Sequence, residues 1–229
     1  MYSNDIANVS PEYSKDYLKR LFEHDNLSAD SDQQVFESAI EIFRDRMHGR
    51  FFDQIRLLSH NIEKNGFAIM ALECLLVETF AQFRKGLADT NNCSRDTYCA
   101  FLRKLDVSFE QVPQPSDFET EDLYLKEVRL KKNGEELEKP RDNAYFFYKR
   151  IRCGILHQAQ SGNNSGLTID SSPGCVCWHN MYFMVNVERF MELMNAYFDK
   201  YRDELRNEHN YALRNNFIKK MRYICKLDD

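Results

Sequence analysis

Arginines and a histidine are closely spaced in residues 144–160, which read A-Y-F-F-Y-K-R-I-R-C-G-I-L-H-Q-A-Q. Arg152 lies five residues before His157, and Arg150 lies seven residues before it. An arginine stays cationic at any ordinary pH, whereas an imidazole gains or loses a proton near neutrality. Such a pair can bind a phosphate and transfer a proton, which are the requirements for cleaving a phosphodiester without a metal.

A helix must position these side chains, because the segment carries apolar residues at helical spacing. The face that we expect to enter the core holds Ala144, Phe147, Tyr148, Ile151 and Ile155. The opposite side holds Phe146, Arg150, Cys153 and His157. At 100° per residue, Arg152 lies about 140° from His157. The two can act on one phosphate if the helix is distorted near Gly154 or if two chains contribute them. Asp142 or Asn143 is the expected N-cap.

The rest of the chain predicts mostly helix. Apolar periodicity indicates helices over residues 11–24, 31–47, 51–61, 67–86, 94–104, 187–201 and 211–227, with interruptions at Gly49 and at Asn65-Gly66. Residues 107–140 are polar and hold three of the five prolines, which indicates a loop or insertion. Residues 167–170 and 176–185 flank Ser172-Pro173-Gly174 and predict a β-hairpin. We expect one domain over residues 1–229, a mostly α helical bundle with a small β-hairpin appendage.

Composition narrows the class of protein. A net charge of −5 argues against a protein that coats nucleic acid through bulk electrostatics, although basic patches occur at residues 149–152 and 219–226. The N-terminus lacks the basic and apolar regions of a signal peptide, and no run of 18 apolar residues is present. We therefore expect a soluble cytoplasmic protein with no membrane partner.

Metal and common nucleotide sites are disfavoured. The seven cysteines contain no CxxC pair, and Cys175 and Cys177, even with His179 nearby, supply only half of a zinc site. GxxxxGK[ST], GxGxxG, GxSxG and HExxH are all absent. Glu73 and Glu78 lie about 140° apart on one helix, which indicates separate polar edges or a salt bridge. Trp178 is expected to pack rather than to stack on a base.

The Arg/His segment resembles the HEPN superfamily (higher eukaryotes and prokaryotes nucleotide-binding domains), whose signature is an arginine followed at short spacing by a histidine on a helix. The resemblance covers the segment R-C-G-I-L-H and its flanks, and it implies a helical bundle that dimerises through the motif helices. Many members are metal-independent endoribonucleases of toxin–antitoxin, phage-defence or CRISPR-associated systems. Cys153 replaces the usual Asn, Asp or His, and Ala159 replaces the tyrosine that a partner nucleotidyltransferase modifies in some members.

Carried over by position, the resemblance implies that Arg152 and His157 are catalytic. Substrate-binding residues would be Arg150, Lys149 and Gln158, with no metal or cofactor. The implied partners are RNA, a second copy of the chain, and an inhibitory or activating protein that could contact residues 107–140. The alternative is a non-catalytic module that binds a nucleotide or protein and uses the same helix as a dimer interface. In that case His157 would be a polar helix-end residue.

Overall fold

The computed structural model describes residues 9–23, 27–91, 93–129, 139–170 and 174–225. Its α-helices are α1 (Lys15–Glu23), α2 (Gln33–Met47), α3 (Asp53–Ser59), α4 (Ile62–Lys85), α5 (Ser94–Leu105), α6 (Glu121–Tyr124), α7 (Asn143–Phe146), α8 (Cys153–Gln158), α9 (Val187–Arg206) and α10 (Tyr211–Cys225). Its strands are β1 (Ser165–Thr168), β2 (Val176–His179) and β3 (Tyr182–Asn186). The fold is mostly α with a small β-sheet, as the sequence predicts.

The described chain forms two compact units, and each unit is built from separate stretches of the sequence. The first unit contains residues 1–60, 78–92 and 196–229, and the second contains residues 61–77 and 93–195. Helices α4 and α9 each contribute residues to both units.

Aromatic side chains form the core of the first unit. The Phe43 ring lies 4.7 Å from that of Phe83 and 5.5 Å from that of Phe217, both edge-on, and Tyr201 packs 5.7 Å away. Arg214 is also buried. Its guanidinium donates hydrogen bonds to main-chain oxygens, at 3.2 Å to the Ala29 carbonyl and at 2.9 Å to the Leu205 carbonyl. A buried arginine is tolerated when its donors are satisfied in this way.

Side-chain caps fix the first two helices. The Ser14 hydroxyl accepts the Tyr17 N–H at 3.2 Å, and the Asp32 carboxylate accepts the Val35 N–H at 3.0 Å. Helix α1 therefore begins at Lys15, later than the predicted start at residue 11, because Ser10 closes a separate turn by accepting the Tyr13 N–H.

The predicted interruption at Gly49 is wrong. A π-helical segment, His48–Phe52, joins α2 to α3 without a break. Gly49 serves a different purpose, since a Cβ atom at this position would lie 2.2 Å from Cγ of Pro11. The glycine is required by the close approach of the Pro11 ring rather than by a turn.

Residues 107–129 are more structured than the predicted loop. They contain the 3₁₀ turns Val107–Glu110 and Pro115–Asp117, then α6 and the π-helical segment Leu125–Arg129. The Thr120 hydroxyl caps α6 by accepting the Leu123 N–H at 3.1 Å. Residues 130–138 of the predicted loop lie outside the described residues.

The strands occur close to where the sequence predicts them, but their pairing differs. Strand β3 is central, with β2 antiparallel and β1 parallel to it. The hairpin therefore joins β2 to β3, through Asn180 and Met181, which both have positive φ as a two-residue hairpin turn requires. The predicted hairpin between residues 167–170 and 176–185 is wrong, because β1 pairs with β3 in parallel and the antiparallel hairpin lies within residues 176–186. Residues 171–173 lie outside the described residues.

Candidate functional site

Residues 143–158 form one continuous helix, the motif helix, made of α7, the π-helical segment Phe147–Arg152 and α8. Asp142 is its N-cap, one of the two predicted candidates, and accepts the Tyr145 N–H at 3.1 Å. Two nitrogens of Arg103, on α5, donate hydrogen bonds to the same carboxylate, at 2.5 and 3.2 Å. The start of the helix is thus fixed to α5 by a bidentate ion pair.

The apolar face of the motif helix enters the core of the second unit, as predicted. Ala144, Phe147 and Ile151 are fully buried, and the Phe147 ring stacks 5.1 Å from that of Phe190. Phe146 is also fully buried, although the helical wheel placed it on the outer side. The wheel assumed α geometry, whereas the Cys153 N–H bonds the Tyr148 carbonyl five residues back. This wider turn changes the direction in which side chains point.

The loop after the motif helix folds back tightly against it. Ala159 adopts a left-handed conformation, with φ of 54°, and ends α8. The Gly162 N–H then donates 2.6 Å to the Arg150 carbonyl. Gly154 makes this approach possible, because a Cβ atom there would lie 2.5 Å from the Gln160 carbonyl oxygen. The fold-back leaves His157 at an exposed corner between the helix and the loop.

Arg152 and His157 are brought together within one chain. Nη1 of Arg152 lies 3.3 Å from Nε2 of His157, and the imidazole is exposed while the arginine is half-buried. Because a guanidinium has donors only, this contact is a hydrogen bond in the tautomer whose Nε2 carries no proton. The predicted distortion of the helix is present, one turn earlier than Gly154, in the π-helical segment. A second chain is not needed to unite the pair.

Tyr148 is a residue of the site that sequence reasoning missed. It was placed on the core face, but it is half-buried, and the guanidinium carbon of Arg152 lies 5.4 Å from its ring centroid. Its position four residues before Arg152 was the available signal, since residues at this spacing are neighbours on a helix. In the site, the Arg152 guanidinium therefore contacts the Tyr148 ring and the His157 imidazole.

Arg150 lies apart from this pair. Its side chain is 11% exposed, donates 3.1 Å to the Asn164 carbonyl, and packs over the rings of Phe146 and Trp178 at 4.9 and 5.3 Å. Burial lowers its pKa, and Glu127 opposes this effect. These contacts tie the motif helix to the fold-back loop, and its substrate-binding role stays a prediction.

Lys149 and Gln158 differ in their surroundings. Nζ of Lys149 lies 2.9 Å from the Glu127 carboxylate. Burial would raise the pKa of Glu127, but the Lys149 hydrogen bond and the nearby cations outweigh it and lower the pKa below its usual value. Gln158 is exposed at the end of α8, directly after His157. Of the three predicted substrate-binding residues, Gln158 is the one that directly follows His157 in sequence, and it faces solvent.

Trp178 packs against other aromatic rings, and the cysteines and histidine near it in sequence do not form a metal site among the described residues. The indole N–H of Trp178 donates 2.9 Å to Asn143, and its ring packs against Phe118, Phe146 and Phe183, as the packing interpretation predicts. Cys175 is buried and His179 is exposed beside Asn180. Within the described ranges, no group of three or more His, Cys, Asp or Glu residues could hold a metal ion.

Glu73 and Glu78 do not act together. Glu78 accepts the Thr90 hydroxyl, whereas Glu73 is fully buried and belongs to the other unit. The expectation of a polar edge at Glu73 is therefore wrong. Both belong to α4, which is long and apolar enough to cross a membrane, with half of its apolar window buried. A buried core helix meets the same criteria, so this helix is weak evidence for a membrane span.

Comparison of the chain with protein-family models, with curated proteins and with solved structures finds no match.

Proposed function

We propose that this protein is a metal-independent endoribonuclease that uses Arg152 and His157. The observation that carries the proposal is the 3.3 Å contact between the Arg152 guanidinium and Nε2 of an exposed imidazole. The two groups are close enough to contact one phosphodiester, and the arrangement agrees with the resemblance to the HEPN superfamily.

The chemistry follows from the two groups. The RNA 2′-oxygen forms a bond to the adjacent phosphorus while the bond from phosphorus to the 5′-oxygen breaks. His157 takes the 2′-hydroxyl proton as general base or supplies a proton to the 5′-oxygen as general acid, and solvent water exchanges the other proton. Arg152 donates hydrogen bonds to the phosphoryl oxygens, where negative charge increases in the transition state. The products are a 2′,3′-cyclic phosphate and a 5′-hydroxyl, and DNA lacks the attacking group.

Wild type, Arg152→Ala and His157→Ala should be incubated with mixed-sequence RNA in excess EDTA, and the fragment ends identified. We expect wild type to leave cyclic phosphates and each variant to lose at least about 100-fold in rate, as is typical for loss of a general base or of a charge-stabilising donor. Arg95→Ala and His179→Ala are matched controls, because both side chains are exposed in the same unit and distant in sequence from the motif.

The outcomes separate the proposal from its alternative. Cleavage that persists in either motif variant, or that requires a divalent metal, contradicts the proposed mechanism. The folded wild type and variants can also be equally inactive, both alone and with the activating protein that the resemblance implies. That result favours the non-catalytic nucleotide- or protein-binding module. Cleavage of an all-deoxy oligonucleotide would exclude attack by a 2′-hydroxyl.

Dimerisation and regulation belong to the proposal as well. The resemblance implies a homodimer with facing motif helices, and a toxin or phage-defence role with an inhibitory or activating protein partner in the cytoplasm. Light scattering of the purified protein tests the dimer directly. A monomer that cleaves RNA would separate the chemistry of the Arg/His pair from the oligomeric state.

A further inference from the structure

The Arg152 side chain needs support to hold one orientation. An arginine has several rotatable bonds, and fixing them costs conformational entropy unless a neighbour restricts them. The Tyr148 ring supplies a surface for this purpose, since the guanidinium carbon lies 5.4 Å from the ring centroid, within the range of cation–π attraction. The guanidinium thus contacts Tyr148 as well as the imidazole of His157.

Tyr148 is itself held from three directions. Its hydroxyl donates 3.4 Å to the Ser94 hydroxyl, and Ser94 is the first residue of α5. The Tyr98 ring packs edge-on at 5.5 Å between centroids. The Tyr148 carbonyl accepts the Cys153 N–H and closes the π-helical turn. Helix α5 and the wide turn therefore fix the ring that supports Arg152.

The exposure of Tyr148 separates it from the core residues of the same helix. Ala144, Phe147 and Ile151 are fully buried, whereas Tyr148 is half-buried at the edge of the core. A ring at this boundary can meet a charged side chain that reaches towards solvent, as the Arg152 guanidinium does. The π-helical turn begins one residue before Tyr148 and ends at Arg152.

We propose that Tyr148 is a positioning residue that holds the Arg152 guanidinium against His157. The inference rests on the proposed function for its effect on catalysis, but the contact itself can be measured without any substrate. The ring is the active part of the side chain, and the hydroxyl contributes through the long contact with Ser94. Tyr148→Met removes the ring and keeps an unbranched apolar side chain suited to a helix. Tyr148→Phe keeps the ring.

The test combines NMR with kinetics. The Arg152 Nε–H signal should be assigned by its disappearance in Arg152→Lys, and its displacement by the Tyr148 ring measured in wild type, Tyr148→Met and Tyr148→Phe. RNA cleavage should be followed in the same proteins. We expect Tyr148→Met to lose the ring-induced shift and about 100-fold in kcat, with KM within about threefold of wild type. Tyr148→Phe should restore both the shift and kcat.

Each result has a defined consequence. An unchanged Arg152 shift in Tyr148→Met overturns the proposal, whatever happens to kcat. A lost shift with unchanged kcat overturns the positioning role in catalysis. If wild type cleaves no RNA, the shifts alone decide whether Tyr148 positions Arg152, so failure of the proposed function is distinguishable from failure of this inference. If Tyr148→Met does not fold, Tyr148→Leu takes its place, and loss of the shift in that variant with recovery in Tyr148→Phe is the required result.

Discussion

Glu73 is a carboxyl group whose charged form the fold disfavours. Its side chain is fully buried in α4, and within the described residues neither carboxyl oxygen accepts a hydrogen bond. Burial raises its pKa well above the usual value. The folded protein therefore keeps this proton, which the unfolded chain releases above a pH of about 4.3.

This difference predicts a pH-dependent stability. Above about pH 4.3 the folded state binds one more proton than the unfolded state, so the free energy of unfolding falls by about 1.4 kcal/mol per pH unit, until the folded group ionises. Glu73→Gln carries no such proton. We expect the stability of Glu73→Gln relative to wild type to increase with pH across this window.

Denaturant unfolding between pH 5 and pH 8, followed by circular dichroism, measures the effect. Glu63→Gln is the matched control, because Glu63 is exposed on the same helix. A constant difference between wild type and Glu73→Gln at every pH would show that Glu73 is ionised in the folded protein.

Two helical glycines, one in the motif helix and one in α4, have different surroundings. Gly154 lies within α8, where glycine is normally unfavourable, yet a Cβ atom there would lie 2.5 Å from the Gln160 carbonyl oxygen and 2.9 Å from the Gly162 nitrogen. The predicted break at Asn65-Gly66 is wrong, because Gly66 lies within α4. The nearest atom to a Cβ added at Gly66 is 3.8 Å away, on Val187. The first glycine is required by packing, whereas the second is not.

The two alanine variants should therefore change stability in opposite directions. Overpacking typically costs 1–3 kcal/mol and alanine recovers up to about 1 kcal/mol in a helix, so we expect Gly154→Ala to lose about 1–2 kcal/mol. Gly66→Ala should gain about 1 kcal/mol. Thermal or urea unfolding compares them. Similar stability changes in both variants would contradict the packing assigned to the residues after the helix.

The helix that carries the site was predictable from sequence, but its geometry was not. Apolar spacing placed Ala144, Phe147 and Ile151 correctly, and a polar residue before the helix indicated the Asp142 cap. Phe146 was misplaced and Tyr148 was assigned wholly to the core, because the wheel applied 100° per residue through a π-helical turn. Such a turn depends on packing along the whole helix, which local sequence does not encode.

At the scale of the molecule, sequence reasoning identified the helices and strands better than the way in which they associate. Periodicity located α4, α5, α9 and α10 because each buries an apolar face. It did not indicate that α4 and α9 each contribute to two compact units, nor that β1 lies parallel to β3. Both features depend on contacts between distant segments, and a parallel pair in particular leaves no turn signal in the sequence.

The net charge of −5 sets a limit on how the chain can bind RNA. Each phosphate neutralised on a single strand contributes about −0.7 to the slope of log K against log salt concentration. Lys149 is paired with Glu127, and Arg150 donates to the Asn164 carbonyl. The proposed mechanism assigns the phosphate contact to Arg152. We therefore expect a shallow slope, between about −0.7 and −1.4.

Fluorescence anisotropy with a labelled RNA oligonucleotide measures this slope, using His157→Ala so that the RNA stays intact. Adding Arg152→Ala should make the slope shallower by about 0.7, because one phosphate contact is lost, while Arg95→Ala should leave it unchanged. A slope steeper than about −3 would require four or more phosphate contacts and an extended basic surface. In that case RNA binding would reside elsewhere on the chain, and the Arg/His pair would act on a strand that other residues hold.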